Sequence, residues 1–185
     1  MIAWSQLVLP ILLSAVLVFF ASTLIHVVLK WHNPDYRKLP NEDEVMAAIR
    51  RGGPGAAQYI FPHCLEGQKN SPEMKAKFAA GPVGVLYLRA PGEMQIGPFL
   101  LRWFSYTVVV GLLVGYVAKI TLTSGAPFME VFRVVSATAW LAFAWQGPSD
   151  SIWKGKPWII TARALVDGVI YALLLGGVFG WLWPR

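Results

Sequence analysis

The chain has 185 residues, of which 56% are hydrophobic and 14% charged, with a formal net charge of +6. Soluble domains carry about 25% charged residues, so water is not the main solvent of this chain. The net charge does not point to nucleic acid: between Lys30 and Pro98 nine basic residues stand against seven acidic ones, far from the concentrated basic face that such binding needs. No nucleic-acid partner is expected. The basic residues read as topology-setting charge in contact with anionic lipid headgroups.

The composition and the apolar runs predict an all-α integral membrane protein with four transmembrane helices, at about 7–29, 99–120, 128–146 and 158–183, each near the ~20 residues that cross the hydrocarbon core. Between the first two lies a small α/β-like segment, 30–98, expected on the cytoplasmic side and packed on the bundle or the membrane surface. The first run has no basic residues before it and is too long for a signal-peptide core, so it reads as a retained anchor even though Ala21, Ser22 and Thr23 resemble a cleavage site.

Within 30–98, Asn41 with Glu44 three residues on, then Val45, Met46 and Ile49, and finally Gly52 and Gly53, predict a short amphipathic helix. A second is expected from Ser71 and Pro72, with Met74 and Phe78 on one side and a stop at Gly81 and Pro82. Gln58 to Phe61 and Val83 to Leu88 read as short strands. Such a segment is too small to be stable alone.

The second run carries Gly111 and Gly115, one small-xxx-small pair. The third is shortened by Glu130 and Arg133, with Trp140 expected in the bundle interior. After it, Gln146-Gly147-Pro148 reads as a turn and Ser149, Asp150 and Ser151 as its solvated continuation. The fourth run places Ala164, Gly168, Ala172, Gly176 and Gly180 at every fourth position, a stripe that lets another helix approach to backbone contact. Four residues overshoot a turn by ~40°, so the stripe winds and can serve two neighbours.

Lys and Arg crowd the segment between the first two spans and the loop of Lys154 and Lys156, while the other loop has Lys119 alone. Basic loops stay cytoplasmic, which predicts both termini outside, in a bacterial inner membrane. Trp4, Trp181 and Trp183 would then mark the outer interface, and Trp31, Trp103, Trp153 and Trp158 the inner one.

Three groups of residues could carry chemistry. Arg163 and Asp167, one helix turn apart, fall inside the apolar zone, with Asp167 ~15 Å from the helix start. Such charges are costly in lipid and should face the interior, with Arg163 or Arg133 as partner to Asp167 and Glu130 as partner to Arg133. They form either a lock between helices or part of an ion path. His26, His32, His63 and Cys64 could hold zinc or copper, although their spacing matches no standard ligand motif. A lone cysteine excludes an internal disulfide. There is no phosphate loop, HExxH pair or nucleophile elbow.

The sequence therefore favours a non-enzymatic membrane protein acting through helix packing, as an accessory or assembly subunit or a homo-oligomer, with the bilayer and another membrane protein or a second copy as partners and no cofactor. A small oligomeric transporter or channel using Asp167 with Arg163 or Arg133 is the second reading. A metal-handling or redox protein using His26, His32, His63 and Cys64 is the third, and an enzyme acting on lipid the fourth.

Overall fold

The computed structural model describes residues 2–185. The chain is predominantly helical, and four of its helices are long and apolar enough to cross a membrane. Their outward side chains are themselves apolar, with Leu9, Phe20, Leu113, Leu141 and Leu173 all exposed. Surfaces of this kind suit lipid, where the driving force for helix association is close packing and interhelical hydrogen bonds.

One compact unit comprises residues 1–36, 95–151 and 156–185. It contains α1 (Trp4–Thr23), α4 (Ile96–Thr121), α5 (Phe128–Ala144), the first part of α6 (Gln146–Lys154) and α7 (Trp158–Trp181). The other unit holds α2 (Glu42–Gly52), β1 (Gln58–Phe61), α3 (Pro72–Ala80) and β2 (Gly84–Tyr87). The membrane unit is built on α5 against α7, with α1 on both α4 and α7 and α4 also on α5. Leu7, Val18, Val114, Val131, Val135, Leu175 and Phe179 are fully buried at its centre.

The small residues of α7 are consumed within this bundle. A Cβ on Gly168 would stand 2.5 Å from Ala144 Cβ, and one on Gly180 would stand 2.7 Å from the Phe128 ring. On Gly176 it would overlap Ser136 Oγ and lie 3.0 Å from the Phe132 carbonyl oxygen. Ala172 is buried, and Ala164 is half-buried. On α4, Gly111 and Gly115 admit Ile11 of α1, and Gly115 also meets Phe179. Side chains tie the same helices together: Trp103 Nε1 donates to Ser22 Oγ at 2.8 Å, Tyr106 to the Ala142 carbonyl at 3.1 Å, and Trp140 Nε1 to the Leu165 carbonyl at 3.2 Å.

Residues 146–154 differ from the expected turn: they form helix α6, separated from α5 by Trp145. Pro148 lies in its first turn, where the missing N–H is no loss. Ser151 is buried rather than solvated, because its hydroxyl shares a 2.6 Å hydrogen bond with Thr161 Oγ1, which also donates to the Gly147 carbonyl at 3.2 Å. Arg133 is exposed on α5, not turned into the bundle, and has no ion pair with Glu130 among the described residues.

In the second unit, β1 and β2 pair antiparallel, with Gln58 opposite Tyr87 and Phe61 opposite Gly84. Ser71 caps α3 by accepting from the Met74 amide at 3.2 Å, and Gly53 closes α2 at φ 61°. Asn41 precedes α2, but its amide donates to the Glu44 side chain at 3.2 Å and caps no backbone N–H. Met74 is the buried residue of these elements and Phe78 is exposed.

Candidate functional site

The site begins where α1 changes pitch. From Leu24 to Val28 the helix widens into a π-turn, with the Leu29 amide bonded to the Leu24 carbonyl at 2.9 Å. Such turns recur at functional positions because they redirect one side chain without ending the helix. His26 lies within this turn. Its Nδ1 meets the Ser22 carbonyl at 2.9 Å; a carbonyl only accepts, so Nδ1 carries the hydrogen and Nε2 is the free ring nitrogen.

The helix then ends at Lys30, whose φ of 52° reverses the chain. His32-Asn33-Pro34-Asp35 follows, with a 3₁₀ turn over Asn33–Asp35. In that geometry residues three apart eclipse one another, and Asp35 Oδ2 accordingly sits 2.6 Å from His32 Nδ1. The other ring nitrogen, Nε2, is 2.7 Å from Asp167 Oδ2 on α7. Arg163, one turn before Asp167, donates from Nη1 to Asp35 Oδ1. The His26 ring stacks on His32 with centroids 4.4 Å apart.

The chain after α1 thus folds back over the first turns of α7 and covers charges that a bare helix would expose to lipid. Asp167 is 6% exposed, and the Asp35 carboxylate is equally enclosed. This differs from the pairing expected between Asp167 and Arg163 or Arg133: Asp167 takes His32, Arg163 takes Asp35, and Arg133 lies elsewhere. Burial alone would raise the Asp35 pKa, but the hydrogen bonds and charges of His32 and Arg163 outweigh it and hold the carboxyl below its ordinary range.

Two hydrogen bonds between one imidazole and two carboxylates require two protons. Whether these make an imidazolium between two carboxylates or a neutral ring beside one carboxylic acid, the three groups together carry one negative charge, which Arg163 balances. The network is neutral, and both nitrogens of His32 and both oxygens of Asp35 are bonded, as a buried polar cluster requires.

One ligand atom from each of His26, His32 and Asp167 falls within 4.8 Å of the others. These residues, with Tyr36, Lys156, Ile160 and Ala164, line a cavity of about 350 Å³. His63 and Cys64, expected to join His26 and His32, belong to the second unit and are not in this ligand group; His63 is exposed and Cys64 half-buried. The residue that sequence reasoning misses is Asp35. Its signal is the Asn-Pro turn, which brings residues i and i+3 together, but its partners Asp167 and Arg163 are far away in sequence. No family model matches the chain, nor does any curated protein or solved structure, so the chemistry of this site rests on its own geometry.

Proposed function

We propose that the protein is a membrane-bound binder of a divalent first-row transition metal ion, held by His26, His32 and Asp167. The observation that carries this reading is the anchoring of both imidazoles. Each Nδ1 is tied to an acceptor, the Ser22 carbonyl or Asp35, which leaves Nε2 of both rings as the nitrogen for an ion, and that of His32 already faces Asp167 Oδ2 at 2.7 Å. Metal-ligating histidines are oriented in this way, by a carboxylate or carbonyl on the nitrogen that does not bind.

Two imidazoles and one carboxylate suit zinc, with a coordination position left open. An ion held there would displace the proton shared by His32 Nε2 and Asp167 Oδ2, releasing it to solvent, would open their 2.7 Å contact to ligand spacing, and would draw in the exposed His26. Arg163 would act one step removed, by holding Asp35 against His32. Gly168, Gly176 and Gly180 of the α7 stripe pack against α5 of the same chain, and Leu175, Phe179 and Val114 are buried, so the packing lends no support to the partner-subunit or flux readings.

Chelator-stripped protein titrated with Zn²⁺ by calorimetry should bind one ion. His26→Ala, His32→Ala and Asp167→Ala should each remove that binding, and Asp35→Asn should weaken it about 10- to 100-fold, the usual effect of losing an outer carboxylate. His63→Ala with Cys64→Ser should leave it intact. Binding that survives His32→Ala but disappears with His63 and Cys64 would refute the assignment.

The basic segment and the Lys154 loop support a cytoplasmic location for this site, with both termini outside. In a Cys64→Ser background, cysteines introduced at positions 3 and 124 should label from outside and those at 50 and 154 only after permeabilisation. Inner labelling at position 3 would reverse the orientation.

A further inference from the structure

We infer that the membrane unit carries a site for one anionic phospholipid, with its phosphate at Lys156 and an acyl chain in the groove between α1 and α4. The groove is a separate cavity of about 280 Å³, lined chiefly by Ser22, Thr23, Val27, Phe99, Leu100 and Trp103. Its hydroxyls are spent internally: Ser22 Oγ donates to the Phe19 carbonyl and accepts from Trp103, and Thr23 Oγ1 also donates to Phe19. What remains is an apolar wall on two membrane-spanning helices, which fits a hydrocarbon chain and no polar ligand.

His26 lines both this groove and the 350 Å³ polar cavity, so the two meet at one side chain. Charge in the polar cavity selects the headgroup. Asp35 and Asp167 would repel a phosphate, but their charge is already matched by His32 and Arg163 in either proton arrangement. Lys156 is half-buried in the same wall and has no ion pair among the described residues, which leaves one cation without a counter-ion. It lies two residues before the exposed Trp158, and Lys with Trp is the pairing found at headgroup level. The inference does not rest on the metal reading, since neither Lys156 nor the groove residues are proposed ligands.

The test uses full-length, chelator-stripped protein in detergent, titrated with phosphatidylglycerol, phosphatidylcholine or inorganic phosphate and read by native mass spectrometry. One phosphatidylglycerol should be retained more tightly than phosphatidylcholine. Lys156→Gln should reduce its retention about tenfold and remove the preference. Val27→Trp and Leu100→Trp, at exposed positions on the groove, should lower the retention of both lipids while thermal stability is kept. Inorganic phosphate at millimolar concentration should not displace the lipid. Multiple lipids retained equally, or retention indifferent to Lys156→Gln or to both groove variants, would overturn the inference. Lysine-dependent binding of free phosphate without a retained lipid would overturn it too, in favour of a soluble anion.

Discussion

Gly176→Leu is expected to prevent recovery of a folded, monodisperse protein, and Gly176→Ala to lower its thermal stability clearly. The first atom of any side chain there overlaps Ser136 Oγ and crowds the Phe132 carbonyl oxygen at 3.0 Å. A hydroxyl can rotate aside, but a carbonyl inside α5 cannot move without shifting the helix. Overpacking typically costs about 1–3 kcal/mol, and a bulkier side chain at backbone contact exceeds that against a total stability of about 5–15 kcal/mol. Gly177 provides the control, because a Cβ there meets nothing within 4 Å; Gly177→Ala should be neutral. Light-scattering melts of the two alanine variants in one detergent decide the matter, and equal melting temperatures would remove close approach from the account.

The second large effect is expected at Asp35, and it should exceed that at Asp167. Asp35→Asn leaves Arg163 beside a neutral amide, and a guanidinium cannot shed its charge. Breaking a buried pair in this way costs about 3–5 kcal/mol, with the lower end expected here because the Arg163 side chain remains 23% exposed. Asp167→Asn faces an imidazole that can release a proton, so its cost should stay near the ~1 kcal/mol of an ordinary hydrogen bond. Adding Arg163→Gln to Asp35→Asn should recover much of the loss. Because Asp35 titrates below the ordinary carboxylate range, its contribution is complete above about pH 4 and disappears as pH falls through the folded value. The Asp35→Asn variant should therefore lose part of the acid sensitivity of the parent. Equal destabilisation by the two asparagines, with no recovery in the double variant, would contradict this division of roles.

The four spans were legible because length and apolarity are local properties, and the caps of α3 and the stop of α2 follow from residues within one turn. Arg163 and Asp167 were visible as charges out of place. Their partners were not, since nothing local links Asp35 to residues on the last helix, and a nearby arginine on the same helix offered the simpler pairing. His26 and His32 share the site, yet His63 and Cys64 do not, because spacing along the chain says little once a loop folds back. The α6 helix was hidden by Gly147-Pro148, which punctuates a turn as readily as it opens a helix. Burial of Ser151 depends on Thr161, across the next connection.

The widened turn at Leu24–Val28 fixes a rotational phase. In an α-helix each residue advances about 100°, and a π-turn accommodates one extra residue while the flanking turns keep their own faces. Upstream, Ile11 and Val18 point into the core; downstream, His26 faces His32. Forcing the same residues into a regular α-helix would swing one of these faces by about a quarter-turn, whereas deleting one residue of the turn would restore a regular helix with both faces kept. The bundle and the ligand cluster therefore cannot both be satisfied by an unbroken α-helix of this sequence, and the irregularity in α1 is the gear that lets one helix serve both.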